Sequence, residues 1–232
     1  MTVVAIPLGG ATLALRLPGE WASVPLEDPA SARRAVRSLA LAAAGSADEG
    51  AVLRSPLVRA ALAEIDRGLA APGRPRLLIA RSIVEGIALP LSILVSPLAQ
   101  PVTPARLPTS QDVLDVLELA LAARDDGFPP AVRPDLGRTI ALRRHRVVPA
   151  APSGPGASPA GPVEEVAGLA RLEVEHWLAV PGTRRAVRLL ATTPVVGMEE
   201  VIVGFLDAVV RAARWEHPAR TATPSAAAAR EG

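Results

Sequence analysis

The sequence predicts an α+β fold in which helices pack on the faces of an antiparallel-rich β-sheet, in the manner of an α/β/α sandwich. Three observations predict it. Short β-rich runs follow one another closely enough to pair as hairpins, amphipathic helical segments lie between these hairpins, and hydrophobic residues make up 50% of the 232 residues. This length and composition suffice for a packed core, so we expect residues 1–217 to form a single domain.

The N-terminal third of the chain carries local signals for a hairpin and two helices. Paired glycines between two apolar runs favour a tight turn, and an Asp-Pro step before a helical spacing is typical of a helix start. A Ser followed three residues later by a Glu indicates a capping box. The predicted elements are a hairpin of residues 2–6 and 11–16 around Gly9 and Gly10, a first helix from Asp28 to Gly45, and a second helix from Ser46 onward, which Pro56 either bends or starts late.

The middle third predicts two buried strands, a third helix and an extended run. The two strand segments are predominantly apolar, which is typical of central strands covered on both faces. The helix has a Thr cap and an apolar stripe at helical spacing. The predicted elements are strands within 76–84 and 87–95 around Glu85 and Gly86, a helix from Thr109 to Gly127, and an extended run at 137–148.

The C-terminal third predicts a strand hairpin and a closing helix. From Leu169 to Val180 apolar and polar residues alternate, which indicates a strand buried on one face. His176 falls on the apolar face of this strand and Trp177 on the opposite face. Pro181 and Gly182 favour a type II turn. The partner strand is predicted at 185–193 and the helix at 198–215.

Two segments lack any packing pattern. The Pro-, Gly- and Ala-rich tract at 149–162 is predicted to be a flexible loop, and residues 218–232 a disordered tail. The N-terminus has no basic region before its first apolar run, and the apolar stretch at 77–98 is interrupted by charges and prolines. We therefore expect a cytoplasmic protein without a membrane span.

The charge composition excludes several functions. All 25 basic residues are arginine, and Lys, Asn, Tyr and Cys do not occur. The pI of about 10.6 therefore reflects the lack of groups that titrate between neutrality and the arginine pKa, because the net charge is only +2. Without Cys the chain has no disulfide, thiolate nucleophile or iron–sulfur cluster.

Four stretches carry a resemblance that covers most of the chain outside the tract and tail: EWASVPLEDPASARRAVRSLA, GRTIALRRHRVV, VEHWLAVPGTRRAVRLLATTP and GFLDAVVRAARW. In these the chain resembles a group of uncharacterised actinobacterial proteins with the PsbP-like α/β/α sandwich. The resemblance implies a binding, lipoprotein or assembly-factor domain. Some members are similar to proteins encoded beside type VII secretion substrates, which implies an accessory role.

The histidines give little support for catalysis. His145, His176 and His217 have no metal-ligand spacing, so neither a metal nor another cofactor is predicted. A Ser-His-Asp arrangement remains open because its members meet only in space, although no GxSxG motif is present. His176 is interpreted either as a hydrogen-bonded residue at the edge of the core or, in the alternative, as the base or ligand-binding residue of a small hydrolase or ligand-binding protein.

Arginines on two extended runs form the candidate partner-binding set. If the runs lie side by side, they create a positive patch. Charges at exposed strand edges, which discourage aggregation, are the other explanation. Trp177 is interpreted either as packing beneath a helix or as part of the binding surface. The candidate residues are Arg144, Arg146, Arg184, Arg185, Arg188 and Trp177.

These observations rank three functions. The first is a non-enzymatic protein-binding or adaptor domain for a secretion or assembly system. The second is the small hydrolase or ligand-binding protein that uses His176. The third is weak anion or nucleic-acid binding through the arginines, against which stand an aromatic content of 2% and the lack of a glycine-rich phosphate loop.

Overall fold

In the part of the chain that the structure describes, nine strands form two antiparallel sheets. The computed structural model describes residues 1–44, 62, 65–66, 69–70, 75–83, 90–104, 108–149 and 170–216. The larger sheet has the order β3-β4-β5-β8-β7-β6, and the smaller one has the order β1-β2-β9. The strands of the two sheets are β1 (Thr2–Pro7), β2 (Thr12–Leu17), β3 (Glu20–Pro25), β4 (Arg76–Ser82), β5 (Ser92–Pro97), β6 (Ala141–Val148), β7 (Arg171–Ala179), β8 (Ala186–Thr193) and β9 (Arg214–Glu216).

Three helices with defined bounds complete this part of the chain: α1 (Pro29–Ala44), α2 (Ser110–Ala122) and α3 (Glu199–Ala212). Thr109 caps α2 as predicted, because its side chain accepts the Asp112 backbone N–H while the Asp112 side chain accepts the Thr109 N–H. The predicted α+β fold with antiparallel sheets is therefore confirmed. Within the described ranges, no helix is long and apolar enough to cross a membrane.

Two short strands differ from the sequence-based prediction. No element was predicted for the residues just after the first hairpin, which form strand β3, and the end of the predicted last helix is strand β9. Leu13 of β2 pairs with Trp215 of β9, so this strand completes the small sheet. Each strand is too short, at six and three residues, to show a clear period in the sequence.

The large sheet separates two layers. Its α3 face packs against the small sheet and α3, with Val95, Val174 and Leu189 in one apolar cluster with Leu15 and Leu206. Its α1/α2 face packs against those two helices. There Leu77, Leu94 and Leu190 meet Val36 of α1, and Leu142, Trp177 and Ala186 meet Leu114 of α2.

Strand β7 is buried on both faces, which corrects the prediction of a strand buried on one face. Leu172, Val174 and Leu178 lie in the core of the α3 face as expected. On the other face Glu173 and Glu175 are only 3% and 1% exposed. The alternation of side chains was read correctly, but β7 is an interior strand and its polar residues lie under a second layer.

Several predicted features lie outside the described residues. They are the bounds of the second helix, the Glu85–Gly86 turn, His217, the tract at 149–162 and the tail at 218–232. The division into one domain with these boundaries therefore stays a prediction.

Candidate functional site

Three of the candidate arginines belong to an ionic cluster on the α1/α2 face of the large sheet. Strand β7 lies between β6 and β8, so it supplies acceptors to both neighbours. Glu175 Oε2 accepts hydrogen bonds from Arg144 Nε and Nη2 at 3.1 and 2.7 Å, and Glu175 Oε1 accepts one from Arg188 Nη2. We define the ionic cluster as Arg144, Arg146, Arg188, Glu173, Glu175 and Asp126.

A similar set of arginine contacts surrounds Glu173, which lies two residues before Glu175 on β7. Arg146 Nε and Nη2 donate to Glu173 Oε2 at 2.9 and 2.8 Å, and Arg171 Nε donates to Glu173 Oε1 at 2.9 Å. Arg144 also makes a two-pronged contact with Asp126, at 3.1 and 3.0 Å. Arginine suits this position because its planar fork can serve two carboxylates at once.

Charge matching keeps the cluster ionised despite burial. Burial alone would raise the pKa of Glu173, but the hydrogen bonds from Arg146 and Arg171 outweigh it, and this pKa is lowered. Burial likewise opposes the charge of Arg144, yet Asp126 and Glu175 raise its pKa. The three arginines of the cluster are therefore balanced by its three carboxylates.

The aromatic residues near the cluster pack against its guanidinium groups. The Phe128 ring lies under both Arg144 and Arg146, with guanidinium carbons 4.6 and 4.1 Å from the ring centre. Trp177 is buried beside α2, and its indole N–H donates to Glu175 Oε2 at 3.2 Å. The structure thus places four candidate residues inside the protein or at its margin, where they contact Glu173 or Glu175: Arg144, Arg146, Arg188 and Trp177.

The two other candidate arginines lie apart from the cluster. Arg184 and Arg185 are exposed in the turn between β7 and β8, and within the described residues neither has an ion pair. We call residues 181–185 the arginine turn. The nearest Arg185 guanidinium nitrogen lies 3.9 Å from the position that a Cβ would take at Gly9, so it reaches the glycine turn between β1 and β2.

His176 lies on the α3 face and has a partner that sequence reasoning missed. Its Nε2 is 2.7 Å from Asp207 Oδ1 of α3, and Asp207 Oδ2 accepts a hydrogen bond from Arg143 of β6. Burial would raise the pKa of Asp207, but its hydrogen bond with His176 and the nearby Arg143 lower it. Because this carboxylate is ionised, it accepts, and His176 Nε2 carries the donated proton.

The position of His176 bears on the hydrolase alternative. The imidazole has a carboxylate partner, as a general base needs, but its side chain is only 2% exposed. A reacting group must come within hydrogen-bond reach of the base. The pair Arg143 and His176 instead holds α3 to two strands of the large sheet through Asp207.

A groove lies beside this contact. It measures about 320 Å³ and is lined by Arg143 and His145 of β6 and by Glu200, Val203, Gly204 and Asp207 of α3. No sequence pattern pointed to it, because its two walls lie about 60 residues apart along the chain.

Comparisons with known proteins add one likeness. No family model and no curated protein matches the chain. Among solved structures, the chain is similar to LpqN of Mycobacterium tuberculosis, described as involved in cell envelope biogenesis. The two share 12% sequence identity over 94% of this chain and 91% of that chain, with a TM-score of 0.43.

Proposed function

We propose that this protein is a non-enzymatic binding domain that engages an acidic surface of a partner protein through its arginine turn. The observation that carries the proposal is the contrast between two sets of arginines. Arg144, Arg146 and Arg188 are matched to internal carboxylates. Arg184 and Arg185 are exposed and, in the described part of the chain, without an ion pair.

The backbone of the arginine turn is fixed by hydrogen bonds. The Val180 N–H donates to the Arg185 carbonyl at 2.9 Å, and Thr183 Oγ1 donates to the Val180 carbonyl at 2.8 Å. The Val102 N–H donates to the Arg184 carbonyl at 2.6 Å. A turn that is already ordered loses little backbone entropy on binding, so two exposed charges can contribute to affinity.

We propose that this protein has an accessory or adaptor role in a secretion or assembly system in the cytoplasm. The resemblance to the PsbP-like group supports this role. A partner for the arginine turn would carry clustered Asp and Glu. Complementary charge of this kind raises the association rate and weakens with salt.

Affinity purification from the native cells tests this proposal. The tagged protein is compared with the double variant Arg184→Gln, Arg185→Gln and with the control Arg34→Gln, Arg37→Gln, which removes two exposed charges from α1. We expect a protein, identified by mass spectrometry, that is lost with the turn variant and kept with the control.

Three results would contradict the proposal: no reproducible partner, equal loss with both variants, or recovery of nucleic acid in place of protein. The last result would favour the nucleic-acid alternative, and binding to DNA that weakens steeply with salt would then establish it.

A further inference from the structure

The groove beside α3 opens at the rim of the large sheet. Strand β6 is the last strand in the sheet order, and it contributes Arg143 and His145 to one wall. Helix α3 forms the other wall. At Gly204 a Cβ would meet nothing within 4 Å, so the groove is open there to the width of a side chain.

Backbone groups of β6 are available along this rim. Arg143 exchanges both of its backbone hydrogen bonds with Val132, at 2.8 and 2.9 Å, on the side away from β7. Because a strand alternates, His145 and Val147 direct their N–H and C=O groups to the same side. Among the described residues, Val132 alone bridges this edge.

The sequence before Val132 explains why that bridge stays isolated. Continuing the antiparallel ladder would place Pro130 opposite His145, and proline has no N–H to donate. At the C-terminal end of β6, Pro149 follows Val148 directly and ends the strand. The available edge is therefore short, with two residues and four hydrogen-bonding groups.

The charge of the groove favours a basic ligand group. Asp207 is occupied by Arg143 and His176. Glu200 is exposed, and the described residues offer it no ion pair. Because Asp207 matches the Arg143 guanidinium, Glu200 is the lining carboxylate that a basic group of a ligand can reach. Two exposed apolar residues follow groove residues in the chain: Val147, two residues after His145, is 45% exposed, and Val201, directly after Glu200, is 64% exposed.

We propose that the β6 edge and this groove together bind an extended segment of a partner protein that carries an arginine or lysine. The segment pairs with the backbone of His145 and Val147, its basic side chain enters the groove toward Glu200, and flanking apolar side chains contact Val147 and Val201. Strand addition supplies affinity through main-chain hydrogen bonds and specificity through alternate side chains.

A second copy of this chain fits the edge less well. In a symmetric pairing of two β6 strands, His145 of one copy would oppose Val147 of the other, and Arg146 would oppose Arg146. Like charges directly opposite each other on neighbouring strands are destabilising. A heterologous segment can place an uncharged residue opposite Arg146 and so avoids this repulsion.

This inference deepens the proposed function, because an adaptor needs two surfaces. His145 pairs with Val174, six residues before Val180 at the arginine turn. At about 3.3 Å per residue, the two surfaces lie about 20 Å apart along the strands. They carry opposite charge, so they suit two different partners.

Selection from a phage library of random twelve-residue peptides tests the inference. The bait is the full chain, and the decisive variant is Gly204→Leu, which fills the groove. Gly204→Ala is the matched control, because it adds only a methyl group and favours the helix. Circular dichroism and thermal unfolding establish that all three proteins are folded.

We expect selected peptides to share a basic residue flanked by β-branched residues, and to bind Gly204→Leu about tenfold or more weakly while Gly204→Ala keeps its affinity. Glu200→Gln should also weaken binding. In NMR spectra, the His145 and Val147 amide signals should shift and become protected from exchange when peptide is added.

The inference is overturned if no peptide is enriched, if enriched peptides are acidic, if Gly204→Leu binds them equally well, or if the edge instead pairs with a second copy and the chain is dimeric by light scattering. The arginine-turn variant separates the two proposals. It should bind the selected peptides normally, and Gly204→Leu should keep the partner of the arginine turn.

Discussion

Glu175 shows how one residue organises the α1/α2 face of the sheet. Its carboxylate lies on β7, between the arginines of β6 and β8, and accepts hydrogen bonds from Arg144, Arg188 and Trp177. A carboxylate at 1% exposure is stable only because these donors replace water. The arginines in turn stay inside because this carboxylate neutralises them.

Replacing Glu175 with Gln should therefore destabilise the protein strongly. The change keeps the size of the side chain but leaves the ionic cluster with one uncompensated positive charge beside the buried Arg144, which costs about 3 to 5 kcal/mol. Urea unfolding followed by circular dichroism measures the free energy of unfolding.

An exposed ion pair provides the control for this measurement. Arg33 and Asp66 have side chains that are 48% and 62% exposed, and Arg33→Gln should cost less than about 1 kcal/mol because solvent screens such pairs. Equal losses for the two variants would contradict a structural role for the buried charge.

At the scale of elements, the connection between the two sheets depends on Gly19. This residue lies between β2 of the small sheet and β3 of the large one, with φ of +75°. A Cβ at this position would lie 1.9 Å from the Ser82 carbonyl oxygen of β4. The carbonyl of Gly19 also accepts a hydrogen bond from Thr2 at 2.8 Å.

Gly19→Ala should consequently be far more damaging than the same change at another left-handed glycine. Gly137 has φ of +66° and open space around its Cβ position, so Gly137→Ala should cost only the conformational strain of about 1 to 2 kcal/mol. Gly19→Ala adds a steric clash with backbone. Thermal unfolding of the two variants should give a much lower Tm for Gly19→Ala, and similar values would show that the junction yields easily.

The elements differ in how far the sequence could predict them. The start of α2 was predictable because Thr109 and Asp112 cap it through contacts three residues apart. The burial of both faces of β7 was not, because it depends on which strands flank β7. The ionic cluster and the contact between Arg143 and Asp207 were missed for the same reason: Arg144 meets Glu175 across 31 residues of sequence, and Arg143 meets Asp207 across 64.

The candidate site was predicted only in part. Of the six candidate partner-binding residues, the structure leaves Arg184 and Arg185 exposed and engages the other four internally. The sequence identifies these positions as arginine or tryptophan, but it does not show which carboxylates neutralise the arginines. The groove combines residues of β6 and α3, so no local pattern contained it.

At the scale of the whole molecule, paired carboxylates predict sensitivity to acid. Glu173, Asp126 and Asp207 all have lowered pKa values in the folded state; burial opposes the lowering, and hydrogen bonds with arginine or histidine outweigh it. For such groups the stabilisation is complete above the unfolded pKa, near 4, and is lost as the pH falls through the folded pKa.

Urea unfolding between pH 7 and pH 2 measures this effect. The free energy of unfolding should decrease steadily as the pH falls below about 5. In the double variant Glu173→Gln, Asp207→Asn the protein should be less stable at pH 7 and should lose less stability toward acid. An acid profile as steep in the variant as in the wild type would show that other groups cause the loss.

The small sheet also constrains the order of events during synthesis. Leu13 is made about two hundred residues before its partner Trp215, and contacts this distant form slowly. Until β9 has left the ribosome, one edge of β2 has only water or another chain to pair with, and an open edge invites aggregation. The nascent chain should therefore depend on chaperones until β9 is made.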